Sequence, residues 1–198
     1  MAPDGNVEWL LSIESNRISS HCLRYNGWPE VWSKQQRFIK AAFNHIGLVP
    51  VALSSAGMKW IDQFLHTGTV EEYRADDLLR KKSPYLHERA FSSGPRWHCH
   101  TGWFDAQLTK DYEVLNQLNV NSGLVNVRGN QRLAVTIDHT TQLRAETTEQ
   151  LSAFAPGGKE PLTALSGLME TLHRANKDVL RNLLTDVALD RVGLQMEI

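Results

Sequence analysis

The feature that most constrains the fold is a pair of short apolar runs separated by the polar sequence Arg128-Gly129-Asn130-Gln131. The first run is Leu124–Val127, and the second is Arg132–Ile137, in which apolar residues occupy every second position. Such alternation is typical of a strand with one buried face. A short polar segment with glycine between two such runs favours a tight turn. The sequence therefore predicts an antiparallel β-hairpin here.

Helical periodicity surrounds this hairpin. From Pro29 to Gly47 apolar side chains recur every three or four residues, and Gly47 is a natural C-terminal stop. A second long helix is predicted from Thr163, with a wide leucine-rich stripe. Shorter helices are predicted at Met58–Leu65, where Trp60 and Phe64 are four residues apart, and at Thr109–Leu118, with Thr109 as its N-cap. A short strand is predicted at Leu48–Leu53.

This order of elements predicts an α+β fold, in which helices pack on an antiparallel sheet. The length of 198 residues is typical of a single domain, spanning residues 1–198. Residues 1–28 show little periodicity beyond a short helical start between Val7 and Ile13. We therefore expect them to form an irregular N-terminal extension.

Composition excludes several function classes. The formal net charge is -1, so no global positive field attracts nucleic acid or anionic membranes. No apolar run approaches the roughly 18 residues that a membrane-spanning helix needs. The two cysteines, Cys22 and Cys99, do not make a disulfide framework, and the N-terminus lacks a secretory signal pattern. We therefore expect a cytoplasmic protein that makes no direct contact with nucleic acid or membrane.

Aromatic residues and one carboxylate suggest a small-molecule pocket. A partly buried carboxylate needs hydrogen-bond donors, and a ligand amide N–H is one such donor. Tryptophan N–H groups could in turn donate to ligand carbonyls. The alternative is an ordinary aromatic core with a carboxylate beside it. The residues concerned are Trp60, Phe64, Tyr73, Asp77 and Trp97.

A second group of candidates would carry enzyme chemistry. On an extended segment His98 and His100 point the same way, and paired imidazoles can bind zinc or copper. No third and fourth ligand is obvious, so we expect neither a metal nor a cofactor. Cys99 would need a histidine from elsewhere, such as His139 or His173, to act as a nucleophile. An Asp138–His139 acid–base dyad is opposed by the divergence of neighbouring side chains on a strand.

Several elements also follow one another in an order known from a regulatory family. They are Trp60 with Phe64, Tyr73 with Asp77, Pro95-Arg96-Trp97, the Ser122-Gly123 entry into a strand, and Leu172-His173 in the last long helix. In this order and approximate spacing, the chain resembles the autoinducer-binding domain of LuxR-type quorum-sensing regulators.

The resemblance implies an α/β/α sandwich, related to PAS and GAF domains, with helices on both faces of the sheet. It also implies an N-acyl-homoserine lactone as ligand. Trp60 would donate to the lactone carbonyl, Asp77 would accept from the amide, and Trp97 would pack on the lactone ring. Phe64 and Tyr73 would wall the pocket. With these residues, Thr136 completes the predicted ligand-binding set.

The chain also departs from the family. Ala56 stands where the family often has Tyr, Phe64 lacks the usual hydroxyl, and Leu78 replaces the usual Pro after Asp77. Only 14 residues follow Leu184, too few for a helix-turn-helix domain. We therefore expect a divergent or truncated relative that binds a small acylated signal and acts as a homodimer or as a heterodimer with a regulator.

Two other functions stay open. One is a small enzyme that uses His98, Cys99 and His100, although the residues favour a protein that is not an enzyme. The other is an interaction protein, such as an anti-activator, with a filled core and no ligand.

Overall fold

The computed structural model describes residues 7–46, 54–109, 112–145, 147 and 161–194. Its contacts divide the chain into two compact units. The first contains residues 1–54 and 146–167, and the second, here called the sheet unit, contains residues 55–145 and 168–198. The single domain expected from length stays a prediction. The predicted strand Leu48–Leu53 lies outside the described residues.

The first unit contains a β-hairpin and a long helix. The hairpin is formed by β1 (Trp9–Glu14) and β2 (Arg17–Cys22), and the helix is α1 (Trp28–Ile46). The ring of Trp9 packs edge-on against Phe38 of α1, with 5.5 Å between centroids. The expected irregular extension and the short helix within it are therefore wrong for this stretch, whereas the predicted helix from Pro29 is confirmed.

Helix α2 (Pro161–Leu183) has its first residues in this unit and continues into the sheet unit. Within the first unit, the hydroxyl of Ser166 on α2 accepts two hydrogen bonds from α1. Trp32 Nε1 donates over 3.1 Å and Gln36 Nε2 over 2.7 Å. The predicted second long helix is confirmed, and its beginning is tied to α1.

The sheet unit contains a four-stranded antiparallel sheet. Its strands are β3 (Ser55–Leu65), β4 (Trp97–Asp105), β5 (Val114–Val127) and β6 (Asn130–Arg144), in the spatial order β3-β6-β5-β4. The predicted hairpin is the β5–β6 pair. Its two turn residues, Arg128 and Gly129, have φ values of 51° and 84°, which suit a type I′ turn. The α+β class with an antiparallel sheet is confirmed.

Two segments predicted as helices are strands. Met58–Leu65 belongs to β3, and the last residues of Thr109–Leu118 open β5. In the first case Trp60 and Phe64 are four residues apart, a separation that places two side chains on one face of a helix and also on one face of a strand. Pairing with β6 decides between the two periods, because every residue from Ser55 to Leu65 has a partner there.

One face of the sheet, here called the inner face, carries the core with α2. It presents the even-numbered residues of β5 and the odd-numbered residues of β6, which are buried from Val114 to Ser122 and from Leu133 to Leu143 and exposed near the turn. A short helix, α3 (Asp186–Arg191), is capped by Thr185 and adds Ala188 and Leu189 to the core. Helices on the opposite face of the sheet stay a prediction. The described helices are all too short or too polar to cross a membrane.

Candidate ligand site on the inner face of the sheet

Burial on the inner face differs from strand to strand, and the candidate site lies on a half-buried outer strand that carries a carboxyl group. Inner-face residues of the central strands β5 and β6 are buried away from their turn, whereas those of both outer strands, β3 and β4, are only half-buried. We call the half-buried stretch of β3 the β3 inner face. It consists of Met58, Trp60, Asp62 and Phe64.

Asp62 is the one ionisable residue of the β3 inner face, and it lies between two aromatic residues. Trp60 and Phe64 flank it two positions away on each side, and Ile137 is its partner on β6. Burial raises the pKa of its carboxyl group above the ordinary value, because desolvation disfavours the charged form. Among the described residues, no donor or cation pairs with this carboxyl group. Asp62 is therefore a hydrogen-bond acceptor that the described part of the chain leaves unused.

Behind Trp60 lies a buried polar bridge between the sheet and α2, here called the amide–imidazole bridge. It consists of His139 on β6, Asn116 on β5 and Asn176 on α2, which are 1%, 2% and 4% exposed. The Nδ1 atom of His139 is 2.8 Å from Asn176 Oδ1, and its Nε2 atom is 3.2 Å from Asn116 Oδ1. Burial is the largest cause that lowers the pKa of His139, so its ring is neutral at pH 7.

A neutral ring has one donor and one acceptor nitrogen. The shorter contact assigns the proton to Nδ1, which donates to the Asn176 oxygen. Nε2 then accepts from Asn116 once the side-chain amide is assigned with Nδ2, rather than Oδ1, toward the ring, an assignment that gives up the 3.4 Å contact between Nδ2 and the Val114 oxygen. The bridge is thus satisfied at both nitrogens, and His139 is held in one orientation.

The ring of His139 continues a row of stacked rings across the inner face. Trp60 stacks on it at 5.7 Å between centroids, and Trp103 of β4 stacks on its other side at 6.1 Å. Tyr85 stacks on Trp103 at 4.9 Å. The bridge therefore fixes the plane against which Trp60 lies, and Trp60 forms one wall beside Asp62.

The structure brings some of the predicted pocket residues together. Trp60 and Phe64 share the β3 inner face, as their spacing suggested. Tyr73 is buried, and its hydroxyl accepts a hydrogen bond of 3.2 Å from Trp97 Nε1. Phe64 and Trp97 both pack against the core cluster that contains Tyr73. The hydrogen bond uses the indole N–H of Trp97 and an acceptor position of the Tyr73 hydroxyl within the protein.

Asp77 and Thr136 do not lie on the β3 inner face with Trp60. Asp77 is exposed in a 3-10 turn (Ala75–Asp77), and its backbone oxygen accepts from Thr185, just past the end of α2. Asn176, which contacts His139 behind Trp60, precedes the end of α2 by seven residues. Asp77 and Trp60 are therefore near points of α2 that are separated by roughly 10 Å of helix. Thr136 lies on the opposite face of the sheet, where its hydroxyl accepts from Gln63 over 3.4 Å. The structure therefore does not place Asp77 or Thr136 beside Trp60.

The candidate enzyme residues are also divided between the two faces of the sheet. Cys99 lies on the inner face of β4 and contacts the backbone oxygen of Tyr85 at 3.6 Å, while His98 and His100 point to the opposite face. Asp138 pairs with Lys59 at 2.8 Å on the face opposite His139. The expected divergence of Asp138 and His139 is confirmed. Among the described residues, no three His, Cys, Asp or Glu side chains cluster as metal ligands.

Sequence reasoning missed both Asp62 and the amide–imidazole bridge. A weak signal for Asp62 was present, since Met58, Trp60, Asp62 and Phe64 occupy every second position, although Ile61 between them is also apolar. Reading the segment as a helix hid this alternation. The bridge had no local signal, because its three members come from three separate elements.

Comparison with known proteins does not identify a family for this chain. No protein-family profile matches the chain, and no curated protein matches it. Among solved structures, it is similar to the crystal structure of the di-domain ARO/CYC StfQ from the steffimycin biosynthetic pathway. The two are 12% identical with a TM-score of 0.23, over 93% of this chain and 70% of that one. A similarity of this size carries no functional argument.

Proposed function

We propose that the chain is a small-molecule-binding protein whose ligand lies against the β3 inner face. The observation that carries this proposal is Asp62, a partly buried carboxyl group without a partner among the described residues, between Trp60 and Phe64. Removing an acceptor from water without giving it a donor is unfavourable. A ligand N–H group that reaches Asp62 supplies this donor and removes the penalty.

The surroundings of Asp62 suit an amphipathic ligand. The two flanking aromatic side chains offer apolar surface, and the half-buried state of the whole β3 inner face leaves part of that surface uncovered. Ligand sites typically combine such apolar walls with a few placed polar groups. A hydrogen bond to a charged group contributes about 1.5–3 kcal/mol. We therefore expect a ligand with an apolar chain and one N–H donor.

An acylated amide has this chemistry, and the sequence resemblance suggests an N-acyl-homoserine lactone. In our proposal Asp62 takes the amide-accepting role that the resemblance assigns to Asp77, because Asp62 shares the inner face with Trp60. Regulation of a LuxR-type partner by homodimer or heterodimer formation is part of the same proposal. It is tested separately, by co-purification with a full-length regulator in the presence and absence of ligand.

The binding experiment compares two aspartates. Thermal shift and calorimetry are run with a panel of N-acyl-homoserine lactones, on the wild type, Asp62→Ala and Asp77→Ala. Tight binding to the folded state raises Tm by mass action. Loss of the Asp62 acceptor should weaken binding by about 10- to 150-fold, which corresponds to 1.5–3 kcal/mol. Asp77→Ala, at an exposed site, should bind like the wild type. An ester analogue that lacks the N–H group is the matched ligand control.

Two results would contradict the proposal. If no acylated amide changes Tm, the ligand class is wrong. If Asp77→Ala weakens binding while Asp62→Ala does not, the arrangement implied by the resemblance is right and the site on β3 is wrong. Equal binding of amide and ester would exclude Asp62 as the acceptor.

A stability measurement without ligand checks whether the carboxyl group of Asp62 lacks a stabilising partner. The folded-state pKa of Asp62 is raised above its unfolded value, so the unfolded state loses its proton first as pH rises. Wild type therefore loses stability relative to Asp62→Asn as pH rises above about 3.9, the ordinary pKa of Asp. We expect Asp62→Asn to be more stable than the wild type at neutral pH and to have nearly the same stability as the wild type in acid. An Asn variant less stable at neutral pH would mean that the carboxylate has a stabilising partner.

A further inference from the structure

The histidine pair of β4 is not used by the proposed ligand site. β4 is an outer strand of the sheet, and His98 and His100 are both exposed on the face opposite the inner face. Their partners on β5 are Asn121 and Asn119, which present side-chain amides on the same face. Neither histidine makes a hydrogen bond or an ion pair with another described residue. Both imidazoles are therefore available to an external ligand.

The spacing of the pair suits chelation. Alternate residues on an antiparallel strand are about 6.8 Å apart along one face. Two imidazoles that lean toward each other from such positions can place one nitrogen each at about 2.0–2.1 Å from a common metal ion. The strand backbone is held by pairing with β5 throughout, so the two Cα atoms stay at this separation.

The set of donors favours one class of metal. Cys99 lies on the other face and contacts Tyr85, so no thiolate joins the pair. Closed zinc sites need four protein ligands, and no group of three acidic, cysteine or histidine ligands occurs in the described part of the chain. Cu²⁺ has the highest affinity of the divalent first-row metals and accepts tetragonal sites of nitrogen and oxygen, with water in the remaining positions.

We propose that His98 and His100 form a two-imidazole chelate for a divalent transition-metal ion, Cu²⁺ above all, with water completing the coordination. The amide oxygens of Asn119 and Asn121 lie across the strand pair and accept hydrogen bonds from metal-bound water. This site is on the face opposite Asp62 and does not depend on the small-molecule proposal.

The test is a titration of the metal-free, untagged full chain with Cu²⁺, followed by calorimetry and by electron paramagnetic resonance. One equivalent should bind with hyperfine coupling to two imidazole nitrogens. His98→Asn and His100→Asn should each weaken this binding by an order of magnitude or more and leave coupling to one nitrogen. His21→Asn is the matched control, since His21 is an exposed strand histidine in β2 that has no histidine two positions away.

Circular dichroism establishes that the variants fold, which their exposed positions favour. The proposal is overturned if the wild type binds no Cu²⁺ more tightly than the double variant His98→Asn/His100→Asn. It is also overturned if the two-nitrogen signal survives in that double variant, or if His21→Asn abolishes it.

Discussion

Replacing His139 with Phe tests the amide–imidazole bridge. Phe keeps an aromatic ring between Trp60 and Trp103 but has no nitrogen, so the stacked row can persist while both contacts to the amides are lost. All members of the bridge are at most 4% exposed, so bulk water has little access to the groups that lose their partners. The variant therefore measures the cost of leaving two buried amides unsatisfied.

The size of the effect follows from the number of unsatisfied groups. Each buried polar group left without its partner costs about 1–3 kcal/mol, so two such groups should lower the free energy of unfolding by about 2–6 kcal/mol. Asn176→Leu leaves only His139 Nδ1 unsatisfied and should cost about 1–3 kcal/mol.

The assay is urea unfolding, followed by far-UV circular dichroism and tryptophan fluorescence, on both single variants and the double variant. Once both partners are apolar, the penalty for the Nδ1–Asn176 pair disappears. The double variant should therefore be more stable than the sum of the single changes predicts, with a coupling energy of about 0.5–3 kcal/mol. Asn182→Ala, at an exposed position on the same helix, is the control and should change stability by less than about 0.5 kcal/mol.

Strict additivity of His139→Phe and Asn176→Leu would refute the bridge as the link between β6 and α2. A destabilisation by His139→Phe within the range of the control would show that the buried amides find other partners. A change in the slope of unfolding against urea would point to an altered folded or unfolded state rather than to a lost contact.

Two further predictions concern acid stability and strand packing. The pKa of His173 is lowered to about 4, first by burial and then by the charge of Lys177. As pH falls from about 6.5 to about 4, the unfolded state therefore binds a proton at His173 that the folded state does not bind. The free energy of unfolding decreases over this range. His173→Gln should flatten this acid slope in unfolding measurements between about pH 7 and pH 4, and an unchanged slope would assign the acid sensitivity to other groups. Gly57→Ala should destabilise the sheet unit by about 1–3 kcal/mol, because a Cβ there would lie 2.5 Å from the backbone oxygen of Thr141 on β6. Gly123 has open space around it, so Gly123→Ala should leave the stability almost unchanged in the same thermal melts. Equal effects of the two substitutions would refute the close approach at Gly57.

Parts of the fold could be predicted because their signals are local. The β5–β6 hairpin combines a two-residue turn at Arg128 and Gly129 with alternation on both sides, and neighbouring residues suffice to specify it. The long helices carry apolar stripes over several turns, from Trp28 to Ile46 and from Pro161 to Leu183. Over such lengths the helical period cannot be confused with the strand period.

Other parts could not be predicted because short patterns satisfy two periods. Trp60 and Phe64 fit a helix as well as they fit a strand, and only the pairing of β3 with β6 decides. The same pairing sets which side chains share a face, and so it separates Thr136 from Trp60.

The sequence by itself determined the hairpin, the two long helices and the α+β class, because these follow from patterns among residues close along the chain. Only the tertiary structure decided the candidate site. It placed Asp62 beside Trp60 on a half-buried outer strand and left Asp77 exposed. It also joined Asn116, His139 and Asn176 across three elements. Desolvation and hydrogen-bond satisfaction depend on what surrounds a side chain in space, and residues distant in sequence supply those surroundings.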